Sequence, residues 1–296
     1  MSNQAALEKI RETPMQHLLR ILDLSQTADL TFTGESIVTA WSRVFGGQVI
    51  AQALVAAQRT VAPNLNVHSL HAYFILAGDS ALPIDYTVDP IRDGRSFATR
   101  RVVASQQGRA IFALSASFQV FETGLKHQVA MPDVAKPDAL MSDVDLLAAF
   151  GAKLPEAVQR SWARERPIEF KPVSLAHFIS TEKLPPVQRI WLRAKGELPD
   201  DPHIQTALLA YFSDMTLLDS ALYAHGRSIF DATMQVASLD HAMWFHSAVD
   251  LSGWHLYDQD SPWTGGARGL TRGQIFSADG KLVASVAQEG LMRERH

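Results

Sequence analysis

The sequence predicts an α+β fold made of two copies of one unit, a long apolar helix followed by an antiparallel meander able to wrap it. Two apolar stretches, Gly46–Val61 and His203–Tyr223, have the length and spacing of helices. Each is followed by strand-like runs at regular intervals, divided in the first copy by turn residues such as Ala77-Gly78-Asp79, Asp93-Gly94 and Gln107-Gly108. Local similarities recur in the same order: SLHAYF from Ser69 beside SLDHAMWF from Ser238, GRSFATR from Gly94 beside GARGLTR from Gly266, and GRAIFA from Gly108 beside GKLVAS from Gly280. Set within matching strings of elements, they point to a tandem repeat.

Taken in order, Ala5–Leu24 has apolar residues at helical spacing and reads as a leading helix. Leu30–Ile37 reads as a strand, and Gly46-Gly47 opens the first long helix. Val67–Leu76, Pro83–Asp89, Ser96–Ser105 and Ala110–Phe121 follow as strands. Lys126–Arg166, rich in Asp, Pro and Ala, reads as a helical connector. The second copy then has strands at Ile168–Val173 and Gln188–Lys195, the helix His203–Tyr223, and strands at Thr233–His246, Trp254–Asp260, Arg268–Ser277 and Lys281–Met292. The division expected is residues 1–128, a connector over 129–165, and residues 166–296.

Composition narrows the function. A chain of 296 residues with 47% apolar and 20% charged content reads as an ordinary globular protein. A net charge of −4 gives no electrostatic case for nucleic acid, which needs clustered basic residues. Without cysteine there is no disulfide, no thiolate chemistry and no Cys-based zinc site, and a reducing compartment fits. Glu8, Lys9, Arg11 and Glu12 stand where a signal peptide needs an apolar core, and no apolar run approaches the roughly 18 residues of a membrane span. The stretch Arg293–His296 is not a Ser-Lys-Leu address. A cytoplasmic location is expected.

Three polar residues fall on surfaces that should be apolar. On a helix, Asp214 shares its face with Ala207, Ala210, Tyr211, Leu217, Leu218 and Ala221. On a strand, Gln288 shares its face with Leu282, Ala284, Val286 and Met292. Ser238 alternates with Met234 and Val236. Bland readings exist for each: a residue at a helix break, an amide satisfying a buried backbone group, a small packed hydroxyl. A carboxylate and an amide aimed into apolar surroundings are nevertheless costly unless they meet a partner there.

The lines SDMTLLDSAL, SLDHAMWFH, GGARGLTRGQIFSADGKLVASVAQEGLMR and RVFGGQVIAQAL resemble the acyl-CoA thioesterase II family, over a range from Thr33 to Arg293. The resemblance implies two hotdog folds in one chain and hydrolysis of acyl-CoA to free fatty acid and coenzyme A. It also implies a hydrolytic water held by an Asp, a Ser or Thr and a Gln, positions that Asp214, Ser238 and Gln288 match one for one. The family often has Thr where this chain has Ser238, and the hydroxyl is kept. Some relatives carry a peroxisomal address, which this chain lacks. The first helix has no carboxylate corresponding to Asp214, and Ala116 falls opposite Gln288, so the complete set is expected in the second copy alone.

Other chemistries find less support. Asp240, His241 and His246 lie close to Ser238 in sequence, but simple alternation turns His241 to the opposite strand face, and no G-x-S-x-G elbow occurs. HAMWFH lacks the spacing and the Glu of a helical zinc motif. Neither a metal nor a cofactor is expected. Arg95, Arg100, Arg101, Arg268 and Arg272 lie on or near paired strands, where one or two are candidates for coenzyme A phosphates. A hotdog enoyl-CoA hydratase would need a D-x-N-P-x-H pattern that is absent here. A non-catalytic acyl-CoA binding protein would have no use for a buried acid beside the thioester. A homo-oligomer is expected, as a dimer of double hotdogs.

Overall fold

The computed structural model describes residues 12–37, 43–154 and 156–295. The start of the expected leading helix, from Ala5, lies outside them. Within them α1 spans Pro14–Leu22, begun by a capping box of Thr13 and Gln16 with Pro14 at its first position. It buries Met15, Leu18, Ile21 and Leu22. A hairpin of β1 (Ser25–Ala28) and β2 (Thr31–Gly34) follows. Its first strand was not legible, since all four residues are exposed and carry no alternation.

Helix α2 (Gly46–Gln58) is buried from Gly47 to its end. The strands β3 (Leu65–Phe74), β4 (Ile84–Asp93), β5 (Phe97–Gln106) and β6 (Arg109–Val120) curl round it. Two buried amides on α2 tie down the chain before it: Gln52 donates to Ile21 O at 2.8 Å and Glu35 O at 2.9 Å, and Gln48 accepts from Ile37 N at 3.0 Å. The tight turn between β5 and β6 places Gln107 and Gly108 both at positive φ, 51° and 75°.

The segment between the copies holds α3 (Asp143–Phe150), capped by Ser142, and α4 (Glu156–Trp162). The second copy comprises β7 (Ile168–Pro172), α5 (Ala176–Ile179), β8 (Val187–Ala194), α6 (Pro202–Ser213), α7 (Asp219–Tyr223), β9 (Met234–Ser238), β10 (Asp240–Phe245), β11 (His255–Gly265), β12 (Arg268–Ser277) and β13 (Leu282–Glu294).

Two expected elements are divided. The helix expected over His203–Tyr223 ends at Ser213 and resumes as α7. The strand expected over Thr233–His246 breaks at Leu239. There Leu239 N donates to Glu289 O and Leu239 O accepts from Phe74 N, each at 2.9 Å, while the Asp240 carboxylate takes the Glu289 N–H at 2.6 Å. Ser238 pairs with Gly290 and Ala242 with Ala287, so the β9–β10 side carries one extra residue, a β-bulge.

The described strands form one antiparallel sheet in the order β1-β2-β4-β5-β6-β3-β10-β13-β12-β11-β8-β7, with β9 also paired to β13. From the β3–β10 joint outward the two halves have matching order, and α2 and α6 pack against each other inside. This is the tandem hotdog expected. No helix among the described residues is long and apolar enough to cross a membrane.

Candidate active site

Asp214 is the C-cap of α6. The helix stops there because its last carbonyls are taken by side chains: Tyr257 Oη donates to Ser213 O and Ser213 Oγ donates to Ala210 O, both at 2.8 Å. The break does not bring Asp214 to the surface. Its side chain is 5% exposed, and Ala207, Ala210, Leu217 and Ala221 around it are fully buried. The apolar surroundings inferred from helical spacing are therefore present, although the uninterrupted helix is not.

The other two expected residues converge on the same oxygen. Gln288 Nε2 donates to Asp214 Oδ1 at 2.7 Å, and Ser238 Oγ lies 3.5 Å from it. A carboxylate only accepts, so the amide nitrogen of Gln288 must face it. That leaves Gln288 Oε1 buried with no hydrogen-bond partner among the described residues.

The second carboxylate oxygen meets the other half of the chain. Asp214 Oδ2 lies against Gly46, where an added Cβ would come within 2.6 Å of it and 2.9 Å of Phe74. The Gly47 N–H also hydrogen-bonds the carboxylate. A Cβ on Gly47 would stand 2.4 Å from Tyr211 O. The Gly46-Gly47 pair is thus a matter of close approach between α2 and the end of α6, and an acid from the second copy caps the helix of the first.

Burial raises the Asp214 carboxyl to about 6, against the opposing hydrogen bonds from Gln288, Gly47 and Ser238. Burial pushes the phenols of Tyr211 and Tyr257 up, and the Asp214 charge adds to this. The acid sits where it can be charged near neutrality and take up a proton readily.

The bulge at Leu239 overturns one expectation. It reverses the phase of β10 relative to β9, so His241 does not point away from Ser238 but faces the same carboxylate. His241 is fully buried, with Nδ1 3.9 Å from Asp214 Oδ1 and Nε2 2.9 Å from Ser213 Oγ. Burial lowers its pKa to about 3, so the ring is neutral. Asp240 is occupied by the Glu289 N–H, and His246 bonds Ser285 Oγ at 2.9 Å.

The corresponding place in the first copy is different. Gln58 lies twelve residues after the start of α2, as Asp214 does after the start of α6. Its amide reaches the His203 carbonyl at 3.4 Å, and the start of α6 has Pro202 and His203 where α2 has Gly46 and Gly47, with Asp201 as its own side-chain cap. Ser69 lies in β3 opposite Ser117 and Trp244.

Residues 158–291 match the family described as acyl-CoA thioesterase, and residues 37–119 match its N-terminal domain. Acyl-CoA thioesterase 2 of Haemophilus influenzae is 42% identical over 94% of this chain and 98% of its own length. The chain belongs to the acyl-CoA thioesterase family. Human acyl-coenzyme A thioesterase 8 is 38% identical over 92% of the chain and 88% of its own length. An acyl-CoA thioesterase II from Mycobacterium marinum superposes with a TM-score of 0.77 at 41% identity, covering 94% of this chain and 98% of that one. A hot dog protein from Alicyclobacillus acidocaldarius, 18% identical, shares the fold with a TM-score of 0.75 over 95% of this chain and 99% of its own.

Within this thioesterase most of the arginine candidates for phosphate are already engaged. Arg100 is 3% exposed and held by Thr60 and Asp93, which removes it as a candidate. Arg101, Arg268 and Arg272 pair with Asp89, Glu289 and Asp260. A further buried acid, Asp219, begins α7 and lines a cavity of about 270 Å³ with His177, Phe178, Tyr223 and Phe230. Burial raises it to about 7.

Proposed function

We propose that Asp214 is the general base of a direct hydrolysis, with Ser238 and Gln288 orienting the water. The chain hydrolyses acyl-CoA thioesters to free fatty acid and coenzyme A. The observation that carries the assignment is the unpartnered Gln288 Oε1, a buried acceptor beside a carboxylate that the same amide already holds. A water donating one hydrogen to Oε1 and the other to Asp214 Oδ1, within reach of Ser238 Oγ, would satisfy all three groups. As its oxygen bonds the thioester carbon, Asp214 takes the proton. When the C–S bond breaks, the sulfur takes that proton back. With the Gly47 N–H held by the carboxylate, the Gly46 N–H at the start of α2 is the candidate donor for the oxyanion.

The same reading treats residues 1–128 and 166–296 as two hotdog units joined by 129–165, with one working site. It takes the enzyme as cytoplasmic and as a dimer of double hotdogs. The exposed Tyr73, Ile75 and Trp244 on or beside the central strands support a further interface.

The test is coenzyme A release from saturated acyl-CoAs, with enoyl-CoA hydration followed in parallel. Asp214→Asn, Ser238→Ala and Gln288→Ala should each lose release, Asp214→Asn by about 10²–10⁴-fold. Ser69→Ala should be nearly silent. Parent-like turnover by folded Asp214→Asn would sink the assignment, and hydration without release would favour the hydratase.

A further inference from the structure

His241 has a protonation pattern that follows from its neighbours. Ser213 Oγ is 2.8 Å from Ala210 O, a carbonyl that can only accept, so the single hydroxyl proton of Ser213 goes there. The 2.9 Å contact between Ser213 Oγ and His241 Nε2 must then be made by an N–H on the ring. A neutral imidazole with its proton on Nε2 carries a lone pair on Nδ1. That Nδ1 is buried, has no hydrogen-bond partner among the described residues, and faces Asp214 Oδ1 at 3.9 Å.

An acceptor held against a carboxylate oxygen has no bond to make while the carboxylate is charged. It gains one when the oxygen carries a proton. We propose that His241 is a positioning residue for the reaction, whose Nδ1 receives a hydrogen bond from the Asp214 carboxyl once that group has taken the proton of the attacking water. The inference rests on Asp214 being the base. Oδ1 is the oxygen nearest Ser238 and Gln288, so it is where the proton arrives. Oδ2, against the start of α2, remains the accepting oxygen. Closing the 3.9 Å gap to hydrogen-bond length takes a movement of about 1 Å. The ring itself neither gains nor loses a proton: the water O–H is broken, Asp214 holds the proton while its hydrogen bond points to Nδ1, and the thiolate sulfur removes it.

The arrangement would also add to the proton affinity that burial gives Asp214. A lone pair opposite the carboxylate disfavours the charged form, and an acceptor for the acid favours the neutral form, so both raise its affinity for a proton. Among the described residues, the other titratable groups that act on Asp214 are the phenols of Tyr211, on its own helix, and Tyr257, from β11. Both stay neutral through the working range. The surfaces of α2, β9 and β13 against it contribute Gly46, Gly47, Ser238 and Gln288, none of them charged.

The experiment has two arms. In the full chain, ¹⁵N chemical shifts of His241 should show protonated Nε2 and bare Nδ1 at neutral pH. A ring protonated on Nδ1 would overturn the proposal without any variant. His241→Gln keeps a donor toward Ser213 and removes Nδ1. It should lower kcat by about tenfold or more with KM little changed, and move the acid limb of kcat/KM to lower pH. His241→Asn, which returns a polar atom near the Nδ1 position, should recover part of both. A structural role alone would reduce the folded fraction and leave the limb in place, and that result would also overturn the proposal. Asp214→Asn measured alongside keeps the two claims apart. If it stays active the base assignment fails, whereas if it is inactive and the His241→Gln limb does not move, only the role of His241 fails.

Discussion

Replacing Gly46 by Ala should damage the chemistry far more than the fold. Gly46 is not among the residues at positive φ, so a side chain is allowed by its own backbone. In a helix interior Ala is favoured over Gly by about 0.5–1 kcal/mol, and somewhat less at a first residue. The obstacle is the neighbour: the new Cβ would lie 2.6 Å from Asp214 Oδ2 and 2.9 Å from Phe74. Restoring an ordinary contact of roughly 3.4 Å requires a shift of ~0.8 Å, and the carboxylate at the end of α6 is one of the two parts that can move. A misplacement of ~1 Å in a catalytic group costs about 10²-fold. The expected outcome is therefore a kcat/KM about 10² lower for acyl-CoA, followed by thiol release, with a urea midpoint close to that of the parent. A folded variant with parental kcat/KM would refute the claim that Gly46 exists to admit the Asp214 carboxylate.

Activity should follow the ionisation of Asp214: kcat/KM falls below pH about 6 as the base takes a proton, and levels above it. Absence of an acid limb in that region would count against the base. Asp219 is held at about 7 in the fold, above its unfolded value, so its contribution to stability is full below pH ~4 and is lost as pH rises through 7. Asp219→Asn should accordingly be more stable than the parent at pH 8, by at least about 1 kcal/mol, with the difference vanishing toward pH 4 in chemical denaturation. Ser238→Thr should keep much of the activity if the hydroxyl only orients water. A pre-steady-state burst of coenzyme A equal to the enzyme concentration, with an acyl adduct on Ser238, would reverse that reading. The isolated fragment 166–296 should not be an active monomer, since it lacks both the α2 start and the β3 edge that its own site and sheet require; size-exclusion and activity measurements on it decide the matter.

The fold was legible because its signals are long. Two apolar helices and regular strands with Gly and Asp turns survive errors of a residue or two at each end. What the sequence hid are places where one local contact overrules a period. The Asp240 side chain takes a backbone N–H that a ladder carbonyl would otherwise accept, and the extra residue at Leu239 reverses the direction of His241. Tyr257, distant in sequence, takes the carbonyl that ends α6 at Ser213. The three residues that converge at Asp214 Oδ1 were nevertheless visible as candidates, because a polar side chain on an apolar face stands out whether or not the helix continues. The part played by Gly46-Gly47 was half visible: the pair marked a helix start, but not which atoms would come close to it.

The antiparallel packing of α2 and α6 gives this molecule two topologically matching ends, one with Asp214 against Gly46 and the other with Gln58 on the His203 carbonyl, and the proposed chemistry uses only the first. In a homodimer of single hotdogs, symmetry would force both ends to carry the same residues. Joining the copies in one chain removes that obligation. The Gly46 end can become narrow, glycine-lined and acidic while the opposite end, with Gln58, Asp201 and Pro202, becomes a plain structural clasp. Stoichiometry follows from this. With the proposed site at the Gly46 end alone, a tight-binding thioester analogue should titrate one equivalent per polypeptide, and substitutions at the clasp should tune rigidity without passing through the reaction.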